Sequence, residues 1–170
     1  CAVGPGDEVL ITPFTMSATA TAILAFNGIP VFADVELDHY NLDPAGLEER
    51  ITARSRAIFV THIFGHPAAM GPIMDLAKKH GLRVIEDAAQ SPGALYNGKL
   101  SGTIGAIGVY SLNCNKVIQC GEGGIAVTDD DDLAQRLRLI RNHGEAVIAA
   151  GMAVGSLVNM IGGNYRMTEI

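Results

Sequence analysis

Cysteine is scarce, and none of it has metal-binding spacing. Cys1, Cys114 and Cys120 are three in number, so they cannot all pair as disulfides. None stands in the close pairs of a zinc site, and they read as reduced thiols of a cytoplasmic protein. Basic charge is also short. Twelve Lys and Arg against 18 Asp and Glu leave a net charge of −6. That argues against non-specific nucleic-acid binding, which needs a basic face. It leaves small anionic substrates open, because such a ligand senses only the local field of a pocket. No uninterrupted apolar run is long enough to span a bilayer, and the stretch from Ala146 to Ile161 is broken by Gly151 and Gly155. No signal-peptide pattern is visible. Nucleic acid and membrane are therefore not expected as partners.

What is present suits one globular domain. The 170 residues are 48% apolar and 18% charged, which is enough to bury a core and too apolar for disorder. Glu8 to Ile11 reads as a buried strand after Gly-Asp. Ser17 to Phe26 reads as a helix stopped by Asn27-Gly28. Pro30 to Val35 is a second strand. Asp43 is placed to cap a helix from Pro44 to Ile51, with proline at its first position. Ala57 to Thr61 is a third strand.

Met70 to His80 is amphipathic, with Ile73, Leu76 and Ala77 on one side and Gly81 as its stop. Arg83 to Asp87 is the next strand. Ser91 to Gly105 is glycine-rich and expected to be irregular. Ala106 to Leu112 and Gly124 to Thr128 are further strands. Asp129 to Asp132 suit a helix N-terminus, where acids complement the dipole. That helix continues from Leu133 to Asn142, with Leu133, Leu137 and Ile140 inward. Met167 to Ile170 reads as the start of another helix. The alternation predicts an α/β fold with a mostly parallel central sheet, right-handed crossovers and helices on both faces. Ligands then gather at the carboxyl ends of the strands.

Two strand ends carry chemistry. Val84-Ile85-Glu86-Asp87-Ala88-Ala89-Gln90 ends a buried strand in a carboxylate and an amide. Tyr110-Ser111-Leu112 ends another in a hydroxyl, and Lys116 follows the serine by five residues. An acid, an amide, a hydroxyl and an amine are what pyridoxal phosphate requires: a lysine for the Schiff base and a carboxylate for the pyridinium nitrogen. A lone loop lysine is usually solvated surface, so the context carries the weight here. His62 and His66 are four apart, but Gly65 and Pro67 break the helix that a metal pair would use. The acidic run at Asp129 is read as solvated charge, so no metal site is expected.

These motifs, with Gly121-Glu122-Gly123-Gly124 after them, resemble the DegT/StrS-type sugar aminotransferases. The likeness runs from Gly4-Pro5-Gly6-Asp7-Glu8-Val9 to Asn164-Tyr165-Arg166-Met167. It implies the large cofactor-binding domain of a fold-type I aminotransferase. It also implies amino transfer from glutamate or glutamine to a keto-sugar, nucleotide-linked, through a Lys116 aldimine. Asp87 would pair with the ring nitrogen, Gln90 would lie by the ring oxygen, and Ser111 would bind the phosphate. Asn164 would reach the phosphate of a neighbouring subunit, which implies a homodimer. Met16 stands where the family places an aromatic residue on the ring, a departure that puts the stacking role in question.

Family members are roughly twice as long. By that comparison an N-terminal segment with a Gly-Thr helix start, and a C-terminal small domain, are expected to lie outside residues 1–170, leaving this piece inactive alone. Three other readings stay open: a keto-cyclitol acceptor, dehydration, and a non-catalytic regulatory or binding member of the fold. A branch of the family that dehydrates carries histidine in place of the lysine. A flavodoxin-like nucleotide domain would explain the alternation but not the strand-end residues.

Overall fold

The computed structural model describes residue 1, residues 3–144 and residues 162–168. The apolar stretch Ala146 to Ile161 and the last two residues of the expected C-terminal helix lie outside them. The elements in order are β1 (Glu8–Ile11), α1 (Ser17–Leu24), β2 (Ile29–Phe32), α2 (Pro44–Leu47), β3 (Ser55–Thr61), α3 (Met70–His80), β4 (Arg83–Asp87), β5 (Leu95–Tyr96), β6 (Lys99–Leu100), β7 (Ile107–Ser111), β8 (Gly124–Val127) and α4 (Asp131–Arg141). Six strands form one sheet in the order β2-β1-β3-β4-β7-β8. All neighbours run parallel except β7 and β8.

Strand alternation sorts the core onto two faces. Leu10, Ile58, Val60 and Val84 point to one face, where Leu47 of α2 and Met70, Ile73 and Ala77 of α3 cover them. Val9, Ile11 and Ala57 point to the other, under Ile23 of α1. Helices therefore lie on both faces, as the alternation predicts. Each of the Val, Leu, Ile and Met side chains among them contributes about 1.5–3 kcal/mol when fully buried.

Local chemistry sets the ends. The Asp43 side chain accepts from Ala45 N–H, and the Asp130 side chain accepts from Leu133 N–H. Gly81 closes α3 with φ 66°, a conformation that suits glycine.

Some bounds differ from the sequence reading. α1 stops at Leu24, because Ala25 to Gly28 turn back onto it: Asn27 takes φ 58° and Gly28 N–H donates to Ile23 O at 3.1 Å. β2 ends at Phe32, where its partner Ile11 also ends. The Pro44 helix tightens into a 3-10 turn at Glu48–Arg50 and stops before Ile51. Residues 91–105 are not wholly irregular. β5 and β6 form a small hairpin around Asn97-Gly98, both with positive φ, as a two-residue type I′ turn requires. In α4 the fully buried pair is Leu133 and Leu139, while Leu137 and Ile140 are only half-buried.

Candidate active site at the carboxyl ends of β4 and β7

Asp87 ends β4, and its register partner on β7 is Val109. Ser111 lies two residues further along β7. The carboxylate and the hydroxyl thus stand at the carboxyl ends of adjacent parallel strands, the place where open α/β sheets bind ligands. Asp87 is half-buried. Its Oδ1 accepts from Ala89 N–H at 3.1 Å and its Oδ2 from Thr19 Oγ1 at 3.0 Å.

Gln90 is oriented by the backbone. Its Oε1 accepts the Phe64 N–H at 2.7 Å. That contact occupies the amide oxygen and leaves the Nε2 hydrogens to donate. Phe64 meets this bond from the left-handed region, φ 55° and ψ 21°. The loop after β3 is therefore drawn onto the loop after β4.

The lysine loop is a short excursion between β7 and β8. Leu112 N–H donates to Gly123 O at 2.8 Å, and Cys120 N–H to Leu112 O at 3.0 Å. These bonds close its neck. Asn113 organises the interior. Its carbonyl accepts Lys116 N–H at 2.9 Å, its side-chain oxygen accepts Asn115 N–H at 3.0 Å, and its amide donates to Glu122 Oε1 at 2.7 Å. Lys116 is half-buried, and among the described residues no carboxylate lies within ion-pair distance of its amine. Ser111 Oγ accepts from Asn113 N–H at 3.3 Å, so its own proton is available to a ligand.

Met16 and Asn164 stand on other elements. Met16 is the residue that enters α1, and it is 65% exposed. Asn164 is exposed and sits on a segment bridged to Asn142 at the end of α4. Its Oδ1 accepts from Arg166 N–H at 3.4 Å. Met167 of the same segment lies 3.7 Å from Cys120 Sγ, which ties this segment to the lysine loop.

Two supports were not picked out from the sequence. Thr19, in the first turn of α1, reads as ordinary helix. Glu86 reads in the sequence as part of a strand, yet it is wholly buried with His62. His62 Nε2, Gly102 N–H, Ile104 N–H and Gly105 N–H all reach its carboxylate within 2.9 Å. Burial alone would raise the carboxyl pKa. The His62 hydrogen bond and the three backbone donors outweigh burial and hold it below the usual carboxylate range. A Glu-Asp pair ending an apolar strand was the available signal: only one of two adjacent carboxylates can face the site.

Among the described residues, no group of three or more His, Cys, Asp or Glu could hold a metal ion. No helix among them is long and apolar enough to cross a membrane.

Residues 1–170 match the DegT/DnrJ/EryC1/StrS aminotransferase family. The chain is 41% identical over 174 residues to an L-glutamine:scyllo-inosose aminotransferase of Streptomyces griseus, covering 99% of this chain and 41% of that one. It is 49% identical over 143 residues to a UDP-N-acetyl-3-dehydro-alpha-D-glucosamine 3-aminotransferase of Acidithiobacillus ferrooxidans, covering 84% of this chain and 39% of that one. The fold superposes on NtdA from Bacillus subtilis with bound cofactor PMP, with a TM-score of 0.85 and 32% identity, covering 98% of this chain and 37% of that one. The chain belongs to the DegT/DnrJ/EryC1/StrS aminotransferase family, whose members are pyridoxal-phosphate enzymes of fold type I. It spans about two fifths of the length of the curated relatives it matches.

Proposed function

We propose that the protein carrying this chain is a pyridoxal-phosphate-dependent aminotransferase. It would move an amino group from glutamate or glutamine to a keto-sugar, nucleotide-linked. The observation that supports this reading is the pairing of strand ends. Asp87 and Ser111 close adjacent parallel strands, and Lys116 leaves the second of them in a tethered loop. The donor set fits the cofactor: a carboxylate for a protonated ring nitrogen, an amide with free N–H groups for a ring oxygen, a hydroxyl for a phosphate, and one amine for an aldehyde carbon.

When bound, pyridoxal phosphate supplies an electron sink for the pair left on carbon when a Cα proton departs. The protein's part is to hold and to move protons. The Asp87 carboxylate accepts the ring N–H and keeps that nitrogen charged, because an adjacent anion favours the cationic form. The Gln90 amide would donate to the ring oxygen from Nε2, and Ser111 Oγ would donate to a phosphate oxygen. Met16 would pack its thioether against the ring, a contact methionine makes well. Lys116 Nζ would hold the group covalently and, when free, would serve as the base and acid that moves the donor Cα proton. Asn164 would reach the phosphate of a second subunit, which would make the active form a homodimer, working in the cytoplasm.

A keto-cyclitol acceptor is the second reading. It is favoured by the relative from Streptomyces griseus named for glutamine and scyllo-inosose, which matches 99% of this chain.

The test is covalent trapping. The full gene product is incubated with pyridoxal phosphate, reduced with borohydride, digested and mapped by mass, with Lys116→Ala alongside. Selective label on Lys116 is expected. Label spread over surface lysines, or unchanged in Lys116→Ala, would sink the reading. Product analysis with keto-sugar and keto-cyclitol acceptors then separates the two substrates.

A further inference from the structure

Asp87 is held from within the protein by a chain of hydroxyls. Thr19 Oγ1 lies 3.0 Å from Asp87 Oδ2. Thr15 Oγ1 lies 3.0 Å from Thr19 Oγ1 and 3.2 Å from Thr61 Oγ1. A threonine has one O–H to give. Thr19 gives its proton to the carboxylate, so it must accept from Thr15. Thr15 has then used its own proton, so it must accept from Thr61. The donor direction is thereby fixed along the whole chain, from Thr61 through Thr15 and Thr19 to Asp87.

Two of its three threonines are buried, and Thr15 is half-buried. Thr19 is 2% exposed and Thr61 is 3% exposed. Thr61 is the register partner of Asp87 on β3. The turn after β1, the first turn of α1 and the end of β3 therefore converge on one carboxylate.

We propose that Thr19 is a positioning residue for the cofactor's ring nitrogen, acting through Asp87 and supported by Thr15 and Thr61. The proposal rests on the reading of Asp87 as the partner of that nitrogen. An ionised carboxylate offers about four lone-pair sites. Thr19 and Ala89 occupy two of them, one on each oxygen, so the remaining sites are presented in a fixed direction. The χ2 torsion of an aspartate is otherwise broad and roughly two-fold. Without the Thr19 hydroxyl, the carboxylate turns and its oxygens no longer meet the ring nitrogen in a single geometry. Hydrogen bonds in series polarise one another, so Thr15 and Thr61 strengthen the last bond without touching the ligand.

The experiment uses the full gene product as wild type, Thr19→Val, Thr19→Ser and Thr19→Ala, with Lys116→Ala as a control. Cofactor-free protein is titrated with pyridoxal phosphate. The balance between the visible absorption bands of the bound cofactor is recorded at fixed pH, and the cofactor-free proteins are melted. Thr19→Val is expected to weaken binding roughly tenfold and to change the band balance, with Thr19→Ser within about twofold of wild type on both. Altered melting with unchanged affinity and bands would overturn the proposal, since Thr19 would then only anchor α1. Wild-type behaviour of Thr19→Val would overturn it as well. If Thr19→Val does not fold, Thr19→Ala against Thr19→Ser makes the same comparison. Failure of the wild type to bind, with Lys116 unlabelled, would remove the cofactor reading itself. Tight wild-type binding that Thr19 substitutions leave untouched would remove only the positioning role.

Discussion

His62 Nε2 lies 2.9 Å from Glu86 Oε2, and neither residue has any exposed surface. The tautomer follows from the other ring nitrogen. Ala68 N–H donates to His62 Nδ1 at 3.1 Å, so the ring proton sits on Nε2 and points at the carboxylate. The loop entering β7 supplies the other donors to Glu86, through Gly102, Ile104 and Gly105. One buried carboxylate thus ties the end of β3, β4 and the approach to β7 together.

Removing that carboxylate leaves an imidazole and three backbone N–H groups without a partner. Glu86→Ala is expected to lose at least about 1–3 kcal/mol of stability, the cost of a buried donor left unsatisfied. Urea unfolding at neutral pH measures it. A loss below about 1 kcal/mol would mean that water enters and replaces the carboxylate.

The same residue sets an acid limit. Its folded pKa is lowered, so its contribution is fully present above the unfolded value, about 4.3 for glutamate, and is lost as pH falls through the folded value. Unfolding free energy should therefore fall from about pH 5 downward, and with a shallower slope in Glu86→Gln. Equal slopes in the two proteins would assign the acid limb to other carboxylates.

Gln90 offers a test of amide polarity. With Oε1 taken by Phe64 N–H, Nε2 is left as the amide's donor group. In Gln90→Glu the carboxylate still accepts from Phe64 but has no N–H to donate. Stability should stay within about 1 kcal/mol of wild type while cofactor affinity falls roughly tenfold. An unchanged affinity would show that the amide nitrogen does not touch the ligand.

Ser111→Ala should lower pyridoxal phosphate affinity by about tenfold and leave the affinity for pyridoxal, which has no phosphate, unchanged. Parallel titrations with the two compounds make the comparison. Equal losses for both would place Ser111 away from the phosphate.

In the core, Ile58→Ala is expected to cost about 2–5 kcal/mol, because this side chain is wholly buried under α2 and α3. Denaturant unfolding reads it directly.

Much of the site was legible because it is local. Asp87 closes an apolar strand, Ser111 closes another, and Lys116 follows at short range, so period and spacing carry all three. The supports were not legible for the opposite reason. Thr19 reaches Asp87 across 68 residues of sequence and Thr61 reaches Thr15 across 46. A threonine in a helix or a strand gives no hint of such a partner. Glu86 was hidden because side-chain alternation alone does not say which adjacent acid turns inward. The β5–β6 hairpin had its Asn97-Gly98 signal, but only two residues flank it on each side, too few to show alternation. Leu139 is buried outside the Leu133, Leu137 and Ile140 stripe, which a helix wheel cannot foresee when packing covers more than one side.

Because β8 runs back along β7, the lysine loop returns to the same end of the sheet and is closed by bonds between residues 112, 120 and 123. Its closure entropy is that of a short loop, and such a loop closes on a timescale of tens of nanoseconds. Asp87 owes part of its orientation to Thr19, 68 residues away in the sequence. The amine can therefore find its place as soon as one hairpin zips. The carboxylate must wait until the sheet has gathered distant parts of the sequence. The placement of the reactive group is thus a local property of one hairpin, whereas the orientation of the group that holds its ligand is a property of the whole sheet.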